Sequence, residues 1–270
     1  MDDAYVRQVH DKGLRFDRRR LLAMLGGAAF LGACSSTSAS TDADASSLAE
    51  VASETAGPFP ADGSNGPDVR TIDGIVRKDI RTSFGGSTGT AEGVPLEFSL
   101  VIKDRDGAAV SGAAVYAWHC DRDGNYSLYS NGVTEQNYLR GIQTTDASGT
   151  VTFTSIYPAC YSGRWPHIHF EVYSSAADAT GGDGPIVKTS QIALPSSAND
   201  AVYATAGYSQ SVSNAAQVSL ATDNVFGDDS AVTELATVTG DVTAGYRATL
   251  TISIDPDGTE TAGGAPPSRP

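Results

Sequence analysis

Apolar and polar residues alternate with a period of two along much of residues 95–254, the pattern of strands that bury one face. Leu96, Phe98, Leu100 and Ile102 share one side of a run whose other side carries Glu97, Ser99 and Val101. Val115, Ala117 and His119 alternate in the same way with Tyr116, Trp118 and Cys120. Further strands are predicted over 150–156, 167–173, 186–193 and 247–254. Turn signals separate them: D-R-D-G at 104–107 and again at 121–124, and D-A-S-G at 146–149. Residues 196–206 form the best short helix. Short strands with frequent turns predict an all-β fold, a single-domain β-sandwich with short helices and long loops over residues 50–254.

The flanks read differently. Residues 17–34 run D-R-R-R-L-L-A-M-L-G-G-A-A-F-L-G-A-C, paired arginines ahead of a short apolar stretch that ends in small residues. Residues 1–33 resemble a twin-arginine export signal, with Arg18 and Arg19 as the pair. The ending L-G-A-C resembles a lipoprotein signal, with Cys34 as the lipidated residue. The expected location is therefore outside the cytoplasm, held to the membrane by an N-terminal lipid or secreted. No run reaches 18 apolar residues, so no ordinary membrane span is predicted. Residues 34–49 are small and polar and read as a flexible tether, and residues 255–270 as a disordered tail.

Composition narrows the function classes. Forty per cent hydrophobic and 19% charged residues are globular values. A formal net charge of −14 argues against a protein that grips nucleic-acid phosphates. Six of the 18 lysines and arginines fall within residues 1–33, so the remainder is more acidic still. Three cysteines, without a C-x-x-C pair, suggest neither a disulfide scaffold nor a cysteine zinc site. Beyond the leader the only histidines are His119, His167 and His169.

Three blocks could carry chemistry. In W-H-C-D-R-D-G-N-Y-S at 118–127, Asp121, Asp123 and Asn125 have the spacing of a calcium loop. That reading fails, because Tyr126 stands where the turn needs glycine and Gly132 where a bidentate glutamate is needed. In I-Y-P-A-C-Y-S-G-R-W-P-H-I-H-F at 156–170, His167 and His169 sit two apart on a strand and can aim both imidazoles at one point. The pair does not choose its metal. Tyr161 and Tyr126 are the nearby oxygen donors, and phenolate, a hard anionic ligand, suits ferric iron. The third block is L-R-G-I-Q-T-T-D at 139–146.

Together these blocks resemble the intradiol ring-cleavage dioxygenases, non-haem ferric enzymes that include catechol 1,2-dioxygenase and protocatechuate 3,4-dioxygenase. E-T-A-G-P-F-P at 54–60 resembles a segment at the family's active-site mouth, and T-S-Q at 189–191 its later glutamine position. The resemblance spans about residues 50–254. It implies Fe(III) held by Tyr126, Tyr161, His167 and His169, with Tyr161 the phenolate that leaves on substrate binding. It also implies Arg164 and Gln191 as residues that bind and stabilise a reacting catecholate, with O2 as co-substrate. Pro58, Phe59 and Trp165 are expected in the pocket walls, and Tyr129, Tyr138 and Tyr157 in packing or walls. His119 is expected to be structural, since the family places no ligand there.

Cys120 precedes the turn that bears Tyr126, and Cys160 immediately precedes Tyr161. A disulfide between them is expected to tie the two loops together outside the cytoplasm. The long helical N-terminal region that catechol 1,2-dioxygenases use for dimerisation has no counterpart here, so a compact single-domain relative is expected. Two other readings remain. One is a lipid-anchored β-sandwich binding module without catalysis. The other is an extracytoplasmic copper or zinc protein using His167 and His169.

Overall fold

Eight strands form two four-stranded sheets in a computed structural model that describes residues 47–260. The leader at 1–33, Cys34, most of the tether and residues 261–270 lie outside the described residues. The strands are β1 (Pro95–Lys103), β2 (Ala114–Trp118), β3 (Arg140–Thr144), β4 (Thr150–Ile156), β5 (His167–Tyr173), β6 (Ile186–Ala193), β7 (Thr237–Asp241) and β8 (Gly245–Ser253). Sheet order is β4-β1-β8-β7 in one layer and β3-β2-β5-β6 in the other. β1 runs antiparallel to β4 and parallel to β8, whereas every pairing in the second sheet is antiparallel. Short helices α1 (Ala176–Thr180), α2 (Ser196–Tyr203) and α3 (Ser209–Ala215) and a 3-10 turn at Phe226–Asp228 fill the connections.

The period-two pattern places the core. Leu96, Phe98, Leu100 and Ile102 of β1 meet Ile168, Phe170 and Val172 of β5 between the layers, together with Val151, Phe153, Ala248 and Leu250. β1 alternates buried and half-buried positions, as a strand with one wet face should. β5 is buried along its whole length. Its second face carries His167, His169, Glu171 and Tyr173 and is covered by the chain over 56–75 and by the 120–129 loop. A third, irregular layer therefore lies on the second sheet, and polar side chains are sealed beneath it.

Two strands escape the pattern. β3 begins with a buried arginine and a glycine, which hides its alternation. A Cβ on Gly141 would stand 2.5 Å from Ile80 Cγ2, so the glycine lets residues 75–80 close on this edge. β7 is almost wholly exposed and has no apolar face to announce it. β2 stops at Trp118 rather than running to Cys120, because the chain there turns into the 120–139 loop. The expected helix forms over a shorter span, Ser196–Tyr203.

The tail and tether also need correction. Glu260 lies against the edge of β6, where its backbone N–H donates to Ile186 O at 2.7 Å and its carboxylate accepts from Thr189 N at 2.7 Å. The reason is Lys188, a buried ammonium that needs counter-charge and pairs with Glu260 at 3.0 Å and Glu50 at 2.6 Å. Order therefore extends to residue 260 instead of ending at 254. At the other flank, Leu48 N already donates to Arg105 O at 2.8 Å.

Phe98 and Phe153 stack at 5.0 Å in the centre of the sandwich, both fully buried. Phe98→Ala should cost about 3–5 kcal/mol. Urea unfolding should show that loss as a lower midpoint at unchanged slope.

Candidate active site

The loop after β2 is built around one carboxylate. Asp121 Oδ1 accepts from Asp123 N at 3.0 Å and Asn125 N at 2.9 Å, and its Oδ2 accepts from Tyr138 Oη at 3.0 Å. Gly124 takes φ +85° in this turn, and a Cβ there would lie 3.2 Å from Tyr161 Cβ. The glycine thus lets the turn rest directly on the second tyrosine loop. Tyr126 follows, held by its N–H to Ser130 Oγ at 2.9 Å.

Arg140 at the start of β3 clamps this loop. Its buried guanidinium donates to Ser127 O at 2.9 Å, Ser127 Oγ at 3.1 Å and Pro60 O at 3.0 Å. The 126–128 loop and the 58–60 segment are thereby pinned to the same sheet face. The Tyr161 loop is fixed separately: Cys160 N donates to Ser211 Oγ at 3.0 Å, and Asn214 Nδ2 donates to Cys160 O at 2.8 Å.

Strand register supplies the rest. Arg140, Trp118, His169 and Gln191 are direct neighbours across β3, β2, β5 and β6. They form one row on the covered face. Trp118 stacks on the His169 ring at 5.0 Å and 3°, fixing its plane. Gly57, at φ +72°, brings the mouth segment to the other side, where a Cβ would stand 3.3 Å from His169 Cε1. His167 Nδ1 meets Trp165 O at 2.5 Å. A carbonyl can only accept, so the proton sits on Nδ1 and Nε2 presents a lone pair.

Four donor atoms converge. Tyr126 Oη lies 3.4 Å from Tyr161 Oη, 3.4 Å from His167 Nε2 and 3.3 Å from His169 Nε2. Tyr161 Oη lies 3.2 Å from His167 Nε2, and the two Nε2 atoms are 3.1 Å apart. These five separations are short enough for the four atoms to reach one metal ion. Burial pushes the Tyr161 phenol up to about 12 and Tyr126 well above its ordinary value. Burial, aided by the Arg164 charge, holds both histidines well below theirs. Neutral imidazole is the ligating form, and a bound cation can ionise the two phenols that burial otherwise keeps neutral. His169 Nδ1 is buried with no partner. Among the described residues no group of three or more His, Cys, Asp or Glu side chains could hold a metal. The set of two phenols and two imidazoles fits a hard, highly charged ion.

Arg164 borders the cluster. Its Nη2 donates to Gln191 Oε1 at 2.6 Å, and its Nη1 stands 3.5 Å from His167 Nε2. Gln191 Nε2 donates in turn to Thr55 O at 2.8 Å, which attaches the mouth segment. Phe59 packs on Tyr126 at 5.0 Å and on Tyr129 at 5.1 Å, with Pro58 beside it half-buried. Trp165 faces elsewhere. Its indole donates to Leu194 O at 2.7 Å and packs with Ala193, Phe226 and Ala231. His119 is locked between Cys120 O and Ser155 Oγ, each at 2.7 Å, and Tyr157 donates to Asn199 Oδ1 at 2.6 Å within the core.

Residues 66–179 match the family model described as "Dioxygenase". A chlorocatechol 1,2-dioxygenase of Rhodococcus opacus is 35% identical over 66 residues, 24% of this chain and 26% of that protein. Catechol 1,2-dioxygenase 2 of Acinetobacter lwoffii is 32% identical over 104 residues, 37% of this chain and 38% of that one. Over these segments the chain is similar to catechol 1,2-dioxygenases. The match spans less than two fifths of either curated relative's length. A solved intradiol ring-cleavage dioxygenase from Tetranychus urticae shares the fold at TM-score 0.62 and 22% identity, over 79% of this chain and 98% of that one.

The expected disulfide is absent. Cys120 and Cys160 are buried free thiols that face different carbonyls, Ala159 O at 3.7 Å and Arg164 O at 3.3 Å. The two loops are joined instead by a backbone hydrogen bond, Ala159 N to Asp121 O at 3.3 Å. Burial pushes the Cys160 thiol up to about 12, which keeps it protonated and unreactive. Asp121 and Arg140 were not predicted as supports of this site. A turn aspartate and a strand arginine carry no local sign of what they hold.

Glu54 sits half-buried beside Thr55. Burial, then Glu234 and Asp228, push its carboxyl up to about 8, with Arg164 opposing. A raised carboxyl stabilises the fold fully below its unfolded value near 4.5, and that contribution is lost as pH rises through 8. Stability of the metal-free protein should therefore fall between pH 5 and 8, and Glu54→Gln should flatten that slope. Urea unfolding across the range measures both.

Proposed function

We propose that the chain is a non-haem Fe(III) intradiol dioxygenase. It cleaves a catechol-type ring between its two hydroxylated carbons and inserts both atoms of O2 to give a cis,cis-muconate-type diacid. The observation that carries the reading is the convergence of two phenol oxygens and two imidazole nitrogens within 3.1–3.4 Å, beside a buried arginine. The family match and the names of the relatives support the substrate class.

Bound ferric iron would chelate both catechol oxygens and make the ring reactive toward O2. The protein's own residues handle protons and charge. Tyr126 and Tyr161 as phenolates, with one hydroxide, would balance the charge of the ion, and a doubly deprotonated catechol would replace two of those negative charges. Tyr161 is the phenolate suited to leave and take a substrate proton. It is half-buried and followed by exposed Ser162 and Gly163, whereas Tyr126 is 2% exposed and wedged under Phe59. Arg164 keeps its charge at any working pH and faces negative charge that develops on the ring. Gln191 holds that guanidinium from one side and the mouth segment from the other.

Aerobically reconstituted protein should hold iron and show a broad visible tyrosinate band that moves to longer wavelength with catechol under argon. Tyr126→Phe should weaken and shift the band, Tyr126→Phe with Tyr161→Phe should abolish it, and Arg164→Ala should lower kcat by about 10²–10³ while the band remains. A colourless protein without iron overturns the reading.

The resemblance of the leader to an export signal supports a location outside the cytoplasm, with Cys34 as the lipid-bearing residue. Cys34→Ser should move the protein from the membrane fraction to the soluble fraction of fractionated cells.

A further inference from the structure

We propose that Asp223 is the positioning residue that aims Arg164, making the 219–231 segment a working part of the site. The proposal rests on the reading of Arg164 given above. Arg164 and Asp223 lie 59 residues apart, and both are buried, the Asp223 side chain completely. Asp223 takes Arg164 Nε with Oδ2 at 3.0 Å and Oδ1 at 3.3 Å. Its other acceptor capacity is used by backbone: Trp165 N at 2.6 Å, Val225 N at 2.8 Å and Phe226 N at 2.9 Å. A carboxylate has about four lone-pair directions, and all are committed here. It cannot swing, and neither can the guanidinium that it holds.

Geometry makes the consequence specific. With Nε tied to Asp223 and Nη2 to Gln191, Nη1 is directed at the donor cluster. Phe226 completes the seat, lying 5.7 Å beneath the guanidinium carbon and edge-on to His167 at 6.4 Å. The segment is closed on itself by Asp223 N to Ser219 O at 2.8 Å and Gly227 N to Asp223 O at 3.0 Å. An arginine side chain has four rotatable bonds, and fixing it before substrate arrives removes an ordering cost from the reaction. Asp223 has no hydrogen bond to any of the four donor atoms, and the side chain it binds is Arg164.

Asp223→Asn keeps the shape and an acceptor for Val225 and Phe226 but loses the charge and turns donors toward Arg164. Expected results are a kcat for catechol at least about tenfold lower, a KM changed less than about threefold, and an intact visible band. The same substitution placed on Arg164→Ala should cost nothing further in kcat. An equal loss in both backgrounds would show that Asp223 only folds the segment, and would overturn the proposal. A readout independent of catalysis comes from nitrogen-15 NMR of the metal-free protein. There the Arg164 Nε–H should give a slowly exchanging signal, identified by its absence in Arg164→Lys and lost in Asp223→Asn. An unchanged signal in Asp223→Asn overturns the proposal even in a protein that cleaves no catechol. Absence of ring cleavage by wild type, with the signal lost as expected, defeats the functional reading alone. Should Asp223→Asn fail to fold, Asp223→Glu keeps the charge but displaces it by one methylene. Unchanged kcat in that variant would overturn the proposal.

Discussion

Two imidazole nitrogens held 3.1 Å apart inside a protein, with two phenols closing over them, form an arrangement that the surrounding structure must pay for and hold. The rest of the second sheet is organised around it. β5 gives Ile168 and Phe170 to the sandwich core and His167 and His169 to the opposite face, so one strand anchors the site to the most stable part of the molecule. The row from Arg140 through Trp118 and His169 to Gln191 then places a clamp, a stacking plate, a ring nitrogen donor and an amide at fixed strand spacing. Loops supply only the tyrosines, and each loop is nailed down by hydrogen bonds from outside itself.

The same face carries a second buried polar group that the site does not use. Glu171, one row along from His169, accepts from Tyr173 Oη at 2.6 Å, and Tyr173 Oη accepts from Arg70 Nη1 at 2.7 Å. Arg70 also binds Asp68, Asp62 O and Gly182 O. Burial, then Asp62, push the Glu171 carboxyl up to about 8. This network seats the 62–70 segment on the sheet. That segment continues into the 56–60 stretch, which brings Gly57 against His169 and Phe59 against Tyr126. This polar network therefore reinforces the apolar contacts of Ala61, Val69 and Ile75 that seat the segment on the sheet.

Much of this was legible in the chain. Period-two runs located β1, β4, β5 and β6 to within a residue, because strands with a buried apolar face announce themselves. The four converging side chains were reached through the family resemblance that the motif blocks carry. The supports were not. Arg140 hid a strand because its burial is made possible by carbonyls from 60 and 127, which no local pattern can reveal. Lys188 held order into residue 260 through two carboxylates from opposite ends of the chain. Cys120 and Cys160 were close in role but not in aim, and thiol direction is set by backbone geometry that sequence spacing does not contain.

The way the sheet margins are closed has a consequence for how copies of this chain meet one another. Unpaired strand margins invite a neighbouring molecule to add a strand, which is a route to aggregation. The β3 margin is covered by residues 75–77, and β4 pairs with Lys78 and Ile80. β6 is covered by Glu54, Glu260 and the 234–236 stretch. β7 remains, and it is five residues long, exposed, and ends in glycine and aspartate. The edge strand most dangerous if bared is β6, whose eight residues are all buried. Its protection depends in part on a single glutamate, Glu260, seven residues beyond the end of β8, so loss of the 254–260 piece would bare part of that margin to a neighbouring molecule.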